Sequence, residues 1–368
     1  MNAVQERFAA LRLARSRGIG PVTYRQLVRK FGSAEAAIAE LPQFLAAKKV
    51  QGRISIAPET EIETELSAID RKGATLLVLG DEAYPELLAA IADPPPVLTV
   101  IGDTALLGRA GVAIVGARNA SAAGRRMAAD LAGDLGDFGW VITSGLARGI
   151  DGAAHEASLG TGTIAVLAGG VDSIYPPEHA ELYHAIAAQG AVISEMRMGQ
   201  TATARDFPKR NRIVSGLTRG VVVVEAAERS GTLITARLSL EQGRDVCAVP
   251  GSPLDPRSAG TNRLIRQGAV LVRHADDVMT ALGDMEKAPP APFFQFEEDE
   301  QAPLPEEEQS RLKDEIISLL SLTPIHRDEL LRLSSASPAQ LADILLDLVL
   351  SGTADEGSGG MFTLSASA

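Results

Sequence analysis

Short, nearly continuous apolar runs alternate with helix-period segments between residues 73 and 283, and the run VVVV at 221–224 shows this most clearly. Such strands fit a parallel sheet that helices cover on both faces. We therefore predict an extended Rossmann-like α/β fold, with a doubly wound, mostly parallel sheet and right-handed crossovers. The predicted strands cover residues 76–79, 97–101, 112–115, 140–143, 163–167, 191–194, 220–224, 245–248 and 269–272. The predicted helices cover about 121–137, 151–159, 178–188, 231–242 and 275–282.

Residues 1–65 have a helical pattern and are predicted to form a separate small domain. Gly18-Ile19-Gly20 precedes Pro21, which is a favoured first residue of a helix. The apolar face of that helix is formed by Tyr24, Leu27, Val28 and Phe31. This arrangement suggests a helix–hairpin–helix, whose glycine amides can hold a nucleic-acid phosphate. A short helical packing module explains the pattern equally well, and the sequence leaves both interpretations open.

The C-terminal part of the chain begins with a predicted linker at 284–309, which is rich in proline and acidic residues and has no basic residue between Lys287 and Arg311. Residues 310–364 then predict three helices and a turn-rich, two-stranded wing, which together make a winged helix. The third helix carries Asp343 and Asp347 but no lysine or arginine, so it would repel a phosphate backbone. This favours a protein-contact or regulatory module over a DNA reader.

Composition sets broad limits on the 368-residue chain. Its 45% apolar and 22% charged residues are typical of a globular protein, and no apolar run approaches the roughly 20 residues that span a bilayer. The charged N-terminus and the single cysteine, Cys247, predict a cytoplasmic protein with a buried thiol and no membrane partner. The net charge of −12 does not exclude nucleic acid, because the linker contributes much of it.

Polar segments are predicted to meet at one edge of the sheet, because ligands of such folds bind outside the carboxyl ends of the strands. The candidate residues are Gly116, Ala117, Arg118 and Asn119; Ser144, Gly145 and Arg148; Lys209, Arg210, Asn211 and Arg212; and Ser230, Gly231 and Thr232. Helix-start amides and arginine side chains both hold phosphate groups. Each segment also has a purely structural interpretation, as a tight turn, a solvated charge or a helix cap. Their convergence favours a groove that binds a chain of phosphates.

Several familiar sites are missing from the sequence. Arg118 stands where a GxGxxG turn needs its second glycine, so NAD binding is not expected. We find no GxxxxGK[ST], no GxSxG and no metal-ligand spacing, and we predict neither cofactor, metal nor catalytic residue. His155 is expected to be buried or hydrogen-bonded.

One enzymatic alternative remains. Glu225, followed by Ser230-Gly231-Thr232, loosely resembles the PGGxGT…E signature of phosphoribohydrolases, which cleave nucleoside monophosphates on a similar fold. The tandem glycines are missing and the order is reversed, so this is the second hypothesis.

Long ordered motifs identify a family resemblance. The runs VAIVGARNAS, ITSGLARGIDGAAH, TIAVLAGGVDSIYP, FPKRNRIVSGL, VVVVEAAERSGTLITARLSLEQGRDVCAVPG and GTNRLIRQGA resemble those of the DNA-processing protein A family, also called Smf. The resemblance covers roughly residues 7–283 and, less closely, the winged helix. It implies a homodimer without ATPase activity that binds and protects single-stranded DNA and helps load RecA during natural transformation.

The resemblance also assigns residues. The family's phosphate-gripping arginine falls on Arg118, whereas the lysine that many members have after a Tyr-Pro pair is Pro177 here, followed by Glu178. Lys209, Arg210 and Arg212 are then expected to supply the missing charge. Since aromatic residues make up only 4% of the chain, binding is expected to depend on phosphates, with little sequence preference.

Overall fold

The computed structural model describes residues 3–47, 54–283, 306–357 and 360–365. Internal contacts divide the chain into two compact units, Met1–Ile62 together with Pro290–Ala368, and Glu63–Pro289. Most of the predicted linker lies outside the described residues.

The N-terminal segment forms the predicted helices. These are α1 (Ala3–Ala14), α2 (Pro21–Phe31), α3 (Ala34–Ala47) and α4 (Glu59–Arg71). Pro21 begins α2, and Gly32 ends it in the left-handed conformation, with φ 83°, where the missing Cβ removes strain. Tyr24 and Leu27 are buried as predicted, whereas Val28 and Phe31 are only partly buried.

The second unit contains a nine-stranded sheet with helices between the strands. In chain order its elements are β1 (Thr75–Val78), α5 (Glu86–Ala89), β2 (Val97–Gly102), β3 (Gly111–Val115), α6 (Ala122–Asp137), β4 (Val141–Ser144), α7 (Ile150–Ser158), β5 (Thr163–Val166), α8 (Ala180–Gln189), β6 (Ala191–Ser194), α9 (Asp206–Gly216), β7 (Gly220–Val223), α10 (Thr232–Glu241), β8 (Asp245–Ala248), α11 (Ala259–Arg266), β9 (Val270–Leu271) and α12 (Ala275–Gly283). The strand order is β1-β2-β6-β5-β4-β3-β7-β8-β9.

The sheet is mostly parallel, which confirms the predicted fold class. Only β2 runs against its two neighbours, β1 and β6, among the strands of this sheet. Both faces are covered: Val221 and Val223 belong to one apolar cluster and Val222 to another. The chain leaves β3 toward β4 on one side and returns beside β3 as β7 on the other. This switch point opens a crevice at the carboxyl end of β3.

Three helices of this unit, α5, α9 and α11, lie outside the predicted helical ranges. The segment that contains Lys209, Arg210 and Arg212 was treated as a polar stretch, but it forms α9. Asp206 starts that helix by accepting hydrogen bonds from the amide and hydroxyl of Thr203, at 3.0 and 2.6 Å. The few apolar residues of α9 hide it from a periodicity argument, whereas α5 and α11 are only 4 and 8 residues long.

The C-terminal segment has winged-helix topology, as predicted. Its elements are α13 (Glu306–Leu319), β10 (Ile325–His326), α14 (Arg327–Leu333), α15 (Pro338–Ser351), β11 (Ala354–Glu356) and β12 (Met361–Leu364). The strands form an antiparallel sheet in the order β10-β12-β11, which has three strands where two were predicted. Ile316, Leu330 and Leu345 meet in its apolar core.

None of the helices in the described ranges is long and apolar enough by itself to cross a membrane. The pair α14 and α15 reaches the required length and composition only together, across a bend of 118°.

Candidate nucleic-acid interface

A groove of about 560 Å³ opens at the carboxyl end of β3. Its walls come from the β3–α6 turn, α7, α9, α10 and the loop after β8. The predicted residues that line it are Gly116, Ala117, Arg118, Asn119, Arg210, Asn211, Ser230, Gly231 and Thr232. The fold therefore brings three of the predicted segments together, as expected for loops at one edge of a parallel sheet.

Close backbone packing shapes the groove wall. A Cβ atom on Gly116 would lie 2.5 Å from Cγ1 of Ile150, so only glycine lets the turn after β3 approach α7. Gly149 has φ 82°, and a Cβ there would lie 2.3 Å from the carbonyl oxygen of Ala117. The Thr232 hydroxyl donates a 3.0 Å hydrogen bond to the carbonyl oxygen of Gly116, which joins the start of α10 to the same turn.

Arg118 is exposed at the groove and lies against an aromatic ring. Its Cζ atom is 5.1 Å from the ring centroid of Phe207, near the start of α9. A guanidinium at this distance from an aromatic face is attracted by the negative face of the ring. The contact restricts the side chain of Arg118 without consuming its hydrogen-bond donors, which remain available to an anion.

Arg210 forms a second, buried cation in the groove. The residue is 6% exposed, and within the described part of the chain its buried Nε atom has no hydrogen-bond partner. The guanidinium lies directly over Gly145, where any Cβ would collide with it. Burial lowers the pKa of Arg210 to about 10; the negative charge of Asp151 opposes this shift and the positive charge of Arg118 adds to it.

Asp151 balances Arg210 only in part. Burial raises the pKa of Asp151, and the nearby Arg210 and the backbone amides of Ala147 and Gly145 act against that shift. The Ala147 amide donates to Oδ2 of Asp151 at 3.2 Å. Among the described residues that line the groove, Asp151 is the single carboxylate that offsets the charges of Arg118 and Arg210. An entering anion would offset the repulsion between these two cations, and it could accept a hydrogen bond from the Nε atom of Arg210.

The structure corrects the prediction for Arg212. This side chain is 7% exposed; its Nε lies 3.1 Å from Oδ2 of Asp93 and its Nη2 2.5 Å from Oε2 of Glu195. Burial by itself would lower the pKa of Arg212, but Glu195 and Asp93 raise it overall. Arg212 therefore holds α9 in place through buried ion pairs and does not line the groove.

Four further predicted residues lie outside the groove lining. The Ser144 hydroxyl is fully buried and donates to the carbonyl oxygen of Ile114 at 2.6 Å. This side chain therefore joins two strands, and does not reach the groove as predicted. Gly145 is covered by Arg210. Arg148 and Lys209 are exposed and lie 3.5 and 3.6 Å from Glu178 and Asp206, respectively. Contacts of these two cations with a ligand stay predictions.

Arg257 also lines the groove, although it is not among the residues predicted from the sequence. Its Nε and Nη2 atoms donate to the two carboxylate oxygens of Asp255 at 3.0 and 2.9 Å. The position of its loop directly after β8 was the available signal, because that strand ends at the same edge of the sheet.

Glu225 is held by the residue that caps the start of α6. One of its oxygens accepts a 2.9 Å hydrogen bond from the Ser121 amide and the other a 2.5 Å bond from the Ser121 hydroxyl. Ser121 caps α6, so the carboxylate stabilises the start of that helix. His155 is buried as predicted: it lies 2.7 Å from the Thr163 hydroxyl, and burial lowers its pKa to about 3.

Three family models match this chain. The model for DNA recombination-mediator protein A matches residues 75–283, the DprA-like N-terminal HHH domain matches 4–68, and the DprA winged helix domain matches 300–360. The second match supports the helix–hairpin–helix interpretation of the N-terminal segment.

Relatives and solved structures agree with the family models. The chain is 43% identical to Protein Smf of Escherichia coli over 61% of either protein, and 42% identical to DNA processing protein DprA of Bacillus subtilis over 62% of this chain and 78% of the relative. DNA processing protein A of Streptococcus pneumoniae superimposes with a TM-score of 0.58 at 36% identity, over 67% of this chain and 82% of that one. The Helicobacter pylori protein, whose structure is described in terms of a single-stranded DNA binding mode, gives 0.53 at 30% identity, over 58% and 96%. The chain belongs to the DNA recombination-mediator protein A family.

Proposed function

We propose that the groove binds single-stranded DNA through its phosphates and that the protein is a non-enzymatic mediator that protects the strand and passes it to RecA. The observation that carries this proposal is the pair Arg118 and Arg210. Arg118 is accessible, whereas Arg210 is buried with an unpartnered Nε atom, and both belong to one groove. A nucleic-acid strand supplies several phosphates, which are anions that such a pair of guanidinium groups can bind.

The depth of the groove favours an unpaired strand. Because Arg210 is only 6% exposed, a phosphate must enter the groove to reach its guanidinium. A flexible single strand can bend into a recess of this size, whereas a duplex is too stiff and broad. RecA as recipient, homodimeric assembly and a cytoplasmic location complete the proposal; they are supported by the family resemblance.

Titration of labelled oligo-dT by fluorescence anisotropy, with and without unlabelled duplex competitor, tests the proposal. Arg118→Ala should weaken binding by about 1.5–3 kcal/mol, the range for a charged hydrogen-bonded contact, which is roughly tenfold to somewhat over a hundredfold. Arg126→Ala is the matched control, since Arg126 is an exposed arginine paired with Asp130 on α6 and does not line the groove. Its affinity should match that of the parent protein.

Two results would contradict the proposal. One is unchanged affinity of a folded Arg118→Ala variant at controlled salt. The other is efficient competition by duplex DNA. For the mediator role, RecA should begin to hydrolyse ATP sooner on a strand bound by the parent protein than on one supplied with the Arg118→Ala variant.

A further inference from the structure

Two aromatic rings continue the groove beyond its cations. Phe207 lines the groove, and the Tyr175 ring packs edge-to-face against it, with centroids 5.6 Å apart and planes at 62°. Arg118 lies against the same phenylalanine, 5.1 Å from the ring centroid. Arg118, Phe207 and Tyr175 therefore form one continuous series from a cation to an exposed ring.

Tyr175 keeps much of its surface open to solvent. The residue is 50% exposed, although its ring packs against Phe207. Phe207 is partly buried and already has Arg118 beside it, so Tyr175 presents the larger accessible aromatic surface. An exposed ring beside a cationic groove offers a stacking surface to any planar group that the groove brings close.

A nucleotide of an unpaired strand has such a planar group. Its base is attached at C1′ of the sugar and its phosphates at the 3′ and 5′ oxygens, so a strand with phosphates at Arg118 can direct a neighbouring base toward the two rings. Every base has a π-face that stacks on tyrosine, which makes the contact tolerant of sequence. In a duplex the base faces are already stacked on one another and are closed to the tyrosine.

We propose that Tyr175, supported by Phe207, stacks on an unpaired base of the strand and contributes to the selection of single-stranded over duplex DNA. This inference rests on the proposed function, because the phosphates held at Arg118 and Arg210 bring the base to the ring. It also changes the expectation from composition: aromatic residues are only 4% of the chain, but two of them lie together at the site.

The experiment compares two labelled oligonucleotides of equal length, oligo-dT and a strand of abasic sites with the same phosphates. The full-length protein should bind oligo-dT more tightly than the abasic strand. Tyr175→Ala should weaken oligo-dT binding about tenfold, within the range for loss of one base–aromatic stack, and leave the abasic affinity unchanged. Tyr175→Phe keeps the ring and should bind like the parent protein.

Phe138→Ala is the matched control, because Phe138 is a 56% exposed aromatic residue at the end of α6 that does not line the groove. It should bind both strands like the parent. If Tyr175→Ala does not fold, Tyr175→Leu keeps an apolar side chain without a π-face. A 2-aminopurine base in the strand should then be quenched on binding to the parent protein and less so on binding to the leucine variant.

Equal weakening of both strands by Tyr175→Ala would overturn the proposal, since it would make Tyr175 a support for the groove wall. Unchanged oligo-dT binding by that variant, or equal affinity of the parent protein for the two strands, would overturn it as well. In those cases phosphate binding stands. Failure of the parent protein to bind either strand would instead reject the proposed function.

Discussion

Replacing Arg210 by methionine should separate the stability of the fold from its affinity for DNA. Arg210 is buried, its Nε atom lacks a hydrogen-bond partner within the described residues, and it shares the groove with Arg118. A buried charge in this state destabilises the folded protein, whereas methionine fills a similar volume without charge. We therefore expect Arg210→Met to unfold at a higher denaturant concentration and to bind oligo-dT less tightly.

The magnitude follows from the pKa of Arg210, which falls from 12.5 to about 10 in the folded protein. At 1.36 kcal/mol per pH unit, this difference corresponds to a cost of about 3 kcal/mol. Below pH 10 the guanidinium is charged in both folded and unfolded states, so the whole cost is present at pH 7 and decreases only as the pH rises above about 10.

This cost is already net of Asp151, whose negative charge raises the pKa of Arg210, but the single variant leaves the buried Asp151 carboxylate without that neighbouring cation. The gain of about 1–4 kcal/mol seen when buried ions are replaced by apolar residues applies when both charges are removed, so the single variant should raise the free energy of unfolding by at most about 1–2 kcal/mol. In the double variant Arg210→Met, Asp151→Asn, the amide oxygen can still accept from Ala147, and no unpaired buried charge remains. This variant should be at least as stable as the single one.

Urea unfolding followed by circular dichroism measures the stability, and oligo-dT anisotropy measures the affinity, which should fall roughly tenfold to a hundredfold in Arg210→Met. Lys209→Met is the matched control: it removes one positive charge from the same helix at a side chain that is 61% exposed. Its unfolding free energy should change by less than about 0.5 kcal/mol. Lower stability of both Arg210 variants with unchanged DNA affinity would refute the reasoning, because the arginine would then be structural.

Further predictions concern salt, the ion pairs of α9 and the single thiol. A plot of the logarithm of the oligo-dT association constant against the logarithm of the salt concentration should have a slope of about −2 to −3, because three or four bound phosphates each contribute about −0.7. A slope near zero would contradict binding through phosphates. Arg212→Ala removes the cation that pairs with Asp93 and Glu195, whose side chains are only 16% and 12% exposed. The variant should lower the unfolding free energy by about 3–5 kcal/mol in urea titrations, whereas a loss below about 1 kcal/mol would show that the pairs are dispensable. Burial raises the pKa of Cys247 to about 12, so a thiol reagent at pH 8 should label it only in unfolded protein, and rapid labelling of the native chain would contradict its burial.

The sheet could be predicted in detail because its strands have a distinctive composition. Successive valines at 221–223 enter apolar clusters on opposite faces, and this two-sided burial is what a continuous apolar run indicates. The direction of β2 could not be predicted, since a short apolar strand has the same pattern in either direction. The convergence of Arg118 with Thr232 was predictable, because carboxyl ends of parallel strands share one edge.

The roles of the cations on α9 could not be read from the sequence KRNR. Once the segment is helical, residues two positions apart point in different directions. Arg210 therefore reaches the groove, whereas Arg212 reaches Asp93 and Glu195, which come from distant parts of the chain. Without the helix and those carboxylates, the sequence of the cluster indicates one basic patch. The contact between Tyr175 and Phe207 could not be predicted either, because the two residues are far apart in the sequence.

Ligand binding explains the state of Arg210, because this buried cation lines the groove beside Arg118 and its Nε atom has no hydrogen-bond partner among the described residues. The desolvation of Arg210 takes place when the protein folds, so it is not repeated when a phosphate enters the groove. The phosphate then meets a guanidinium in a low-dielectric setting, where their attraction exceeds that of an exposed pair. Arg118, which adds to the repulsion in the free protein, becomes a second partner in the complex. Because the same interactions that cost stability without the ligand favour its binding, a groove of this kind can bind an acidic strand in a chain whose net charge is −12.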